Sequence, residues 1–192
     1  MNKQKFGKWA LRKLKWSIDD GKIEDKKCIL LGVPHTSIWD FVISWLYASS
    51  IGITANIMIK KEFFFWPLGG LLKALGAIPV DRTHGAVTAR SVIERLKNSD
   101  TMYLAIAPEG TRKKTRRWKT GFHTIARECN VPIYLGYFDW KNKRVGKGVR
   151  FIPTNDSKED LQKIMAHYAW MEMDGLHKDC FDAGEIKKSL NN

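Results

Sequence analysis

A chain of 192 residues that is 44% hydrophobic and 11% aromatic can bury one sizeable core, and its length disfavours a second independent domain. Its 33 Lys and Arg against 20 Asp and Glu give a formal charge of +13, so acidic surfaces or polyanions (nucleic acid, anionic lipid, phosphorylated metabolites) are the expected partners. Cys28, Cys129 and Cys180 lie far apart with no CxxC, which excludes a disulfide framework or zinc knuckle and fits a reducing, cytosolic compartment.

In chain order, residues 3–18 place Phe6, Trp9, Ala10, Leu14 and Ile18 at helical spacing among Lys3, Lys5, Lys8, Arg12, Lys13 and Lys15. That basic amphipathic helix has two possible settings. It can lie in a lipid headgroup layer, aromatics inward and cations on phosphates, or pack on the domain with a solvated basic face. Trp39, Trp45 and Trp66 favour the membrane. No apolar h-region or cleavage site follows the basic start, so no secretory signal is expected.

Residues 28–33 read as a buried strand and 39–50 as an apolar helix. Further strands are predicted at 55–59, 77–80, 102–106, 131–137 and 149–152, and further helices at 68–75, 86–97, 119–128 and 158–171. The nearly uncharged run 63–72 is broken by Pro67, Gly69 and Gly70 and is too short to span a bilayer. Its Phe63, Phe64, Phe65 and Trp66 suit either a membrane or acyl-chain contact or a core segment. Alternation of strands and helices predicts a single-domain α/β sandwich around a mostly parallel sheet, with chemistry at strand ends. The expected division is an N-terminal helical segment 1–27, a domain 28–174, and a tail 175–192 of mixed composition with no assigned role.

Four segments carry the chemistry. His35 follows the first large strand and Asp40 lies five positions on. Five residues of regular helix turn through roughly 500°, so the two side chains meet only if the chain turns between them. Given that turn, Asp40 would hold one ring nitrogen of His35 and leave the other as a general base. The second segment, Pro108, Glu109, Gly110, Thr111 and Arg112, opens from a strand end into a basic run through Lys119, offering N–H groups, a hydroxyl and a guanidinium to phosphate oxygens. Taken without its neighbours, it reads as a solvated basic loop with Glu109 serving Arg112. The third, 76–82, ends in Asp81 and Arg82, the latter a second phosphate jaw or a surface partner of Asp81. The fourth, Val131, Pro132 and Ile133, starts a buried strand. His84, His123, His167 and His177 have no evident partners and read as surface or satisfied-core residues.

In this order, the blocks His35-x4-Asp40, Gly76-x-Ile78-x-x-Asp81-Arg82, Pro108-Glu109-Gly110-Thr111-Arg112 and Val131-Pro132-Ile133 resemble those of the phospholipid and glycerol acyltransferase family. Ser37 occupies that family's serine position in the first block, and Trp118-Lys119-Thr120-Gly121-Phe122 is similar to its Phe-Lys-x-Gly stretch. Pro34 stands where asparagine is common and Ala107 where phenylalanine is usual. The resemblance covers about residues 28–137 and implies a glycerolipid acyltransferase-like fold.

By that resemblance His35 is the base, Asp40 its orienting partner, and Ser37, Arg82, Glu109, Gly110, Thr111, Arg112 and Lys119 line the acceptor site. The implied reaction moves a fatty acyl group from acyl-CoA or an acyl-carrier protein directly to a hydroxyl of a lysophospholipid-like acceptor, 1-acylglycerol-3-phosphate foremost. It needs no metal or cofactor. An acylated amino acid is the alternative acceptor, and a catalytically silent lipid-binding protein the alternative function. No nucleic-acid motif accompanies the charge, so no nucleic-acid partner is expected. The expected location is cytoplasmic, peripheral on the inner face of the cytoplasmic membrane, through the N-terminal basic helix.

Overall fold

The structure, a computed structural model, describes residues 2–18, 21–80, 85–115, 117–181 and 186. Its elements run α1 (Lys3–Lys13), β1 (Ser17–Ile18), β2 (Lys27–Leu31), α2 (Trp39–Ser50), β3 (Ala55–Lys60), a 3-10 turn (Lys61–Phe63), α3 (Leu68–Ala74), β4 (Ala77–Val80), α4 (Gly85–Asn98) and β5 (Met102–Ile106). They continue with α5 (Gly121–Cys129), β6 (Ile133–Tyr134), β7 (Tyr137–Asp139), β8 (Arg144–Gly146), β9 (Arg150–Phe151), α6 (Ser157–Trp170) and a second 3-10 turn (Lys178–Cys180).

The main sheet has the order β4-β3-β5-β2-β6-β9, parallel throughout except for β9, which pairs antiparallel with β6 at the edge. Alternate residues of β2 (Ile29, Leu31) and the following Val33 join Leu104, Ile133 and residues of α4, α5 and α6 in the larger core, as the two-residue strand period requires. A second cluster joins α1 and α2 to Phe138 of β7 and Val145 of β8. The predicted α/β sandwich with a mostly parallel sheet is therefore the observed fold.

Two local differences have physical causes. The helix expected over 3–18 stops at Lys13: Lys15 takes a left-handed φ of 60°, and Ser17 and Ile18 pair in parallel with β8. The strand expected over 131–137 divides, because Leu135 N–H donates to Val149 and Gly136 sits against the Leu31 carbonyl, after which the chain enters a three-stranded sheet of order β1-β8-β7. That small sheet had no sequence signal, since its strands are two or three residues long.

Helix α1 is packed on the domain. Gly7 and Leu11 are buried and Phe6 and Ala10 partly so, against α2. A Cβ at Gly7 would stand 2.6 Å from the Leu46 carbonyl oxygen and 2.7 Å from Ser50 N, so glycine is what permits this approach. Trp9 and Leu14 remain exposed among the lysines. No helix among the described residues is long and apolar enough to cross a membrane.

Candidate active site

Strands β2 and β5 are parallel neighbours with Leu31 opposite Ile106, so the segments that leave their C-terminal ends emerge side by side. One carries His35 to Asp40 and the other carries Pro108 to Arg112. The two sequence blocks meet because of that register.

The first segment makes the turn that the His–Asp spacing demands. Residues 34–38 are not helical, α2 begins at Trp39, and Asp40 falls in its first turn, 1% exposed. Its Oδ2 accepts the backbone N–H groups of Thr36 (2.6 Å) and Ser37 (2.7 Å), reaching back from the first helical turn to the amides that precede it, where the helix dipole favours a negative charge. The same oxygen lies 3.4 Å from His35 Nδ1. The His35 side chain stays 30% exposed, leaving Nε2 as the ring nitrogen for a reactant. Ser37 is buried, and its hydroxyl accepts the Trp39 N–H at 3.2 Å.

From the second segment, the buried carboxyl of Glu109 reaches back, its Oε1 accepting the His35 N–H at 2.9 Å. It therefore serves the His35 backbone rather than Arg112. Oε2 is buried without a hydrogen-bond partner among the described residues, and burial pushes the Glu109 pKa up to about 7 despite the His35 N–H. Gly110 follows with φ +65°, a conformation that lets the chain reverse without a Cβ penalty. The loop closes where Lys119 N–H donates to the Pro108 carbonyl (2.7 Å) and the carbons of the Lys119 side chain lie beside Gly110. Thr111 Oγ1 accepts the Lys113 N–H, and Arg112, Lys113, Lys114, Arg117 and Lys119 are exposed along this loop. Arg82, with Asp81 and His84, lies outside the described residues.

Three long-range contacts, two of them at the site, had no sequence signal. Trp140, just past β7, donates its indole N–H to Asp40 Oδ1 at 2.8 Å across 100 positions. Thr36 is buried under the segment after α6, where Gly175 lies against its side chain and His177 N–H reaches its hydroxyl at 3.4 Å. The beginning of the unassigned tail therefore covers the His–Asp turn. Finally, His123 and Asp160 form a second pair, Nε2 to Oδ2 at 2.8 Å, with both residues buried. Its Asp160 also accepts Thr154 N–H and hydroxyl, which makes it a tie between α5 and α6 and a satisfied-core histidine.

Among the described residues no group of His, Cys, Asp and Glu could hold a metal ion. The exposed Phe63, Phe65 and Trp66 (91%) exclude the core reading for most of that aromatic run, while Phe64 is half-buried.

The sequence matches the Acyltransferase family over residues 18–135, which contains all four blocks and more than half of the chain. No curated protein sequence matches it. In structure it is similar to the crystal structure of the 1-acyl-sn-glycerophosphate (LPA) acyltransferase PlsC from Thermotoga maritima, with a TM-score of 0.59 and 20% identity over 98% of this chain and 77% of that one. That likeness gives the fold, and the family match gives the class of enzyme. The chain belongs to the phospholipid and glycerol acyltransferase family and is by that membership an O-acyltransferase.

Proposed function

We propose that this protein transfers a fatty acyl group from an acyl thioester, on CoA or an acyl-carrier protein, to a hydroxyl of a lysophospholipid-like acceptor, with 1-acylglycerol-3-phosphate the first candidate. The observation that carries this reading is the meeting of His35, Asp40 and Glu109 at the ends of β2 and β5, beside a loop of exposed cations. The structurally similar LPA acyltransferase supports the choice of acceptor.

In this mechanism Asp40 Oδ2 holds the Nδ1–H side of His35, so Nε2 is the free base. Nε2 takes the acceptor hydroxyl proton as that oxygen attacks the thioester carbonyl. The tetrahedral intermediate collapses by breaking the C–S bond, and the departing sulfur takes the proton back from Nε2. The products are an ester and a thiol, and no acyl-enzyme forms. A phosphomonoester acceptor carries about −1.5 to −2 charge near neutral pH, which Arg112, Lys119 and the Thr111 backbone N–H would balance, with Arg82 as a further cation, while the Gly110 N–H is engaged by the Ala107 carbonyl and shapes the loop.

The same proposal sets the enzyme on the cytoplasmic face of an anionic membrane. Trp9 and Leu14 are exposed beside Lys8, Arg12 and Lys13, and Phe63, Phe65, Trp66 and Leu71 add further exposed apolar surface.

The test is thioester release by purified protein with acyl-CoA or acyl-carrier protein, against lysophosphatidic acid, other lysolipids and acyl-amino acids. Release dependent on a lysolipid phosphate supports the proposal. Release with an acyl-amino acid alone replaces the acceptor, and vesicle binding without release from any pair makes the protein a silent lipid binder.

A further inference from the structure

Asp40 is held from two directions. Its Oδ2 takes the amides of Thr36 and Ser37, which belong to the same turn and move with it. Its Oδ1 takes the indole N–H of Trp140 from a different part of the chain. Trp140 is itself fixed on three sides. Its backbone N–H donates to the Asp174 carbonyl at 2.9 Å, its ring meets Trp16 edge-on (centroids 4.9 Å apart, planes at 84°), and Lys143 Nζ stands 4.5 Å from its ring centroid and 5.2 Å from that of Trp16. Trp16 is buried and follows α1 directly.

We infer that Trp140 is a positioning residue for acyl transfer: its indole pins Asp40 Oδ1, fixes the plane of the carboxylate, and so sets how Oδ2 presents to His35, with Trp16 as its backing. The chemistry suits the task. An indole is a donor only and does not exchange protons with a carboxylate at working pH, so it orients Asp40 without competing for the proton that His35 handles. Without that donor Oδ1 is a buried acceptor lacking its outside anchor, and its charge is spread less over neighbouring dipoles. The other charged or titratable groups facing this assembly are Glu109 at the His35 backbone, Lys143 over the indole, Asp174 with its ion partner Lys178, His177 beside Thr36, and Asp139 with Arg144 next to Trp140.

The kinetic arm rests on the acyl-transfer reading, and the spectroscopic arm does not. Trp140→Phe keeps an aromatic ring and removes the N–H. Replacing Trp140 by benzothienylalanine keeps the full two-ring shape and removes only the N–H, so it decides the case even where the Phe variant folds poorly. Hydrogen bonds to charged groups predict a kcat lower by roughly ten- to a hundredfold with KM for both substrates unchanged. The acid limb of the pH–kcat profile moves to higher pH, because a less solvated carboxylate favours the protonated imidazole more strongly. In the wild type, the Trp140 indole N–H resonance moves as His35 titrates, and the movement disappears in His35→Ala. Wild-type kcat and pH profile in the isosteric variant, or an indole resonance indifferent to His35, would overturn the role. If no acyl transfer is found at all, that resonance still decides whether the indole reads the His–Asp pair.

Discussion

The backbone N–H of His35 donates to Glu109 Oε1 at 2.9 Å across 74 positions of sequence. This one bond joins two sequence blocks that are parallel neighbours only because β2 pairs with β5. It also places a carboxyl in the protein interior with its second oxygen unpartnered among the described residues, and burial raises its pKa from 4.5 to about 7.

That shift has a sign in stability. A carboxyl whose folded pKa exceeds its unfolded one binds its proton more tightly in the fold. Its contribution is full below pH 4.5 and is lost as pH rises through about 7. Glu109→Gln keeps an oxygen for the His35 N–H and cannot ionise. The variant is expected to gain on the wild type between pH 5 and 8, by up to about 3 kcal/mol at the upper end. Denaturant unfolding at pH 5 and pH 8 measures it, and a constant difference between the two would refute the burial argument.

The two His–Asp pairs predict opposite phenotypes. His123 and Asp160 are both buried, so His123→Ala leaves a buried carboxylate without its ring partner. Thr154 still holds Asp160, so the loss is that of one hydrogen bond to a buried charged group, about 1.5–3 kcal/mol. The melting temperature should fall sharply while turnover per folded molecule holds, as thermal melts beside active-site-normalised rates would reveal.

Gly7 sets a contest between propensity and packing. Alanine favours a helix interior over glycine by about 1 kcal/mol. Its Cβ, however, would stand 2.6 Å from a backbone oxygen of α2, and overpacking costs about 1–3 kcal/mol. Packing wins because a helix backbone has no rotamer to change. Gly7→Ala should destabilise the fold, and a stabilised variant in denaturant unfolding would show that α1 is not seated on α2 as described.

Vesicle co-sedimentation tests the membrane proposal. Binding to anionic vesicles should weaken several-fold in Trp9→Ala and in Lys8→Glu, and should fall as salt rises, since each basic residue near an anionic surface contributes about 1 kcal/mol. Equal binding of both variants would remove α1 from the membrane contact.

The site is legible in the sequence where its residues sit in contiguous blocks and illegible where they are brought together across the fold. The strand end and turn residues beside them make His35 and Asp40 a candidate pair, but it is the resemblance of four ordered blocks to the acyltransferase family that singles out that pair and Glu109. The bonds of Trp140 and His177 to that turn were not legible, because separations of 100 and 141 positions leave no local period or spacing to read. For α2 the boundaries followed from an apolar run, whereas β1 and β8 are too short for any alternation to show. The fate of α1 was open for a different reason. One amphipathic stripe serves equally to face lipid or a neighbouring helix; the fold turns Gly7 and Leu11 onto α2 and leaves Trp9 and Leu14 outward, a division that the helical period alone does not show.

The most direct test of the account is the rate of acyl transfer by His35→Ala, measured with the productive donor and acceptor beside a thermal melt of the same preparation. The account predicts a loss of at least about a thousandfold in kcat, within the range general-base catalysis supplies, with the melting temperature little changed. Activity within tenfold of wild type in a folded His35→Ala protein would contradict it and move the base elsewhere.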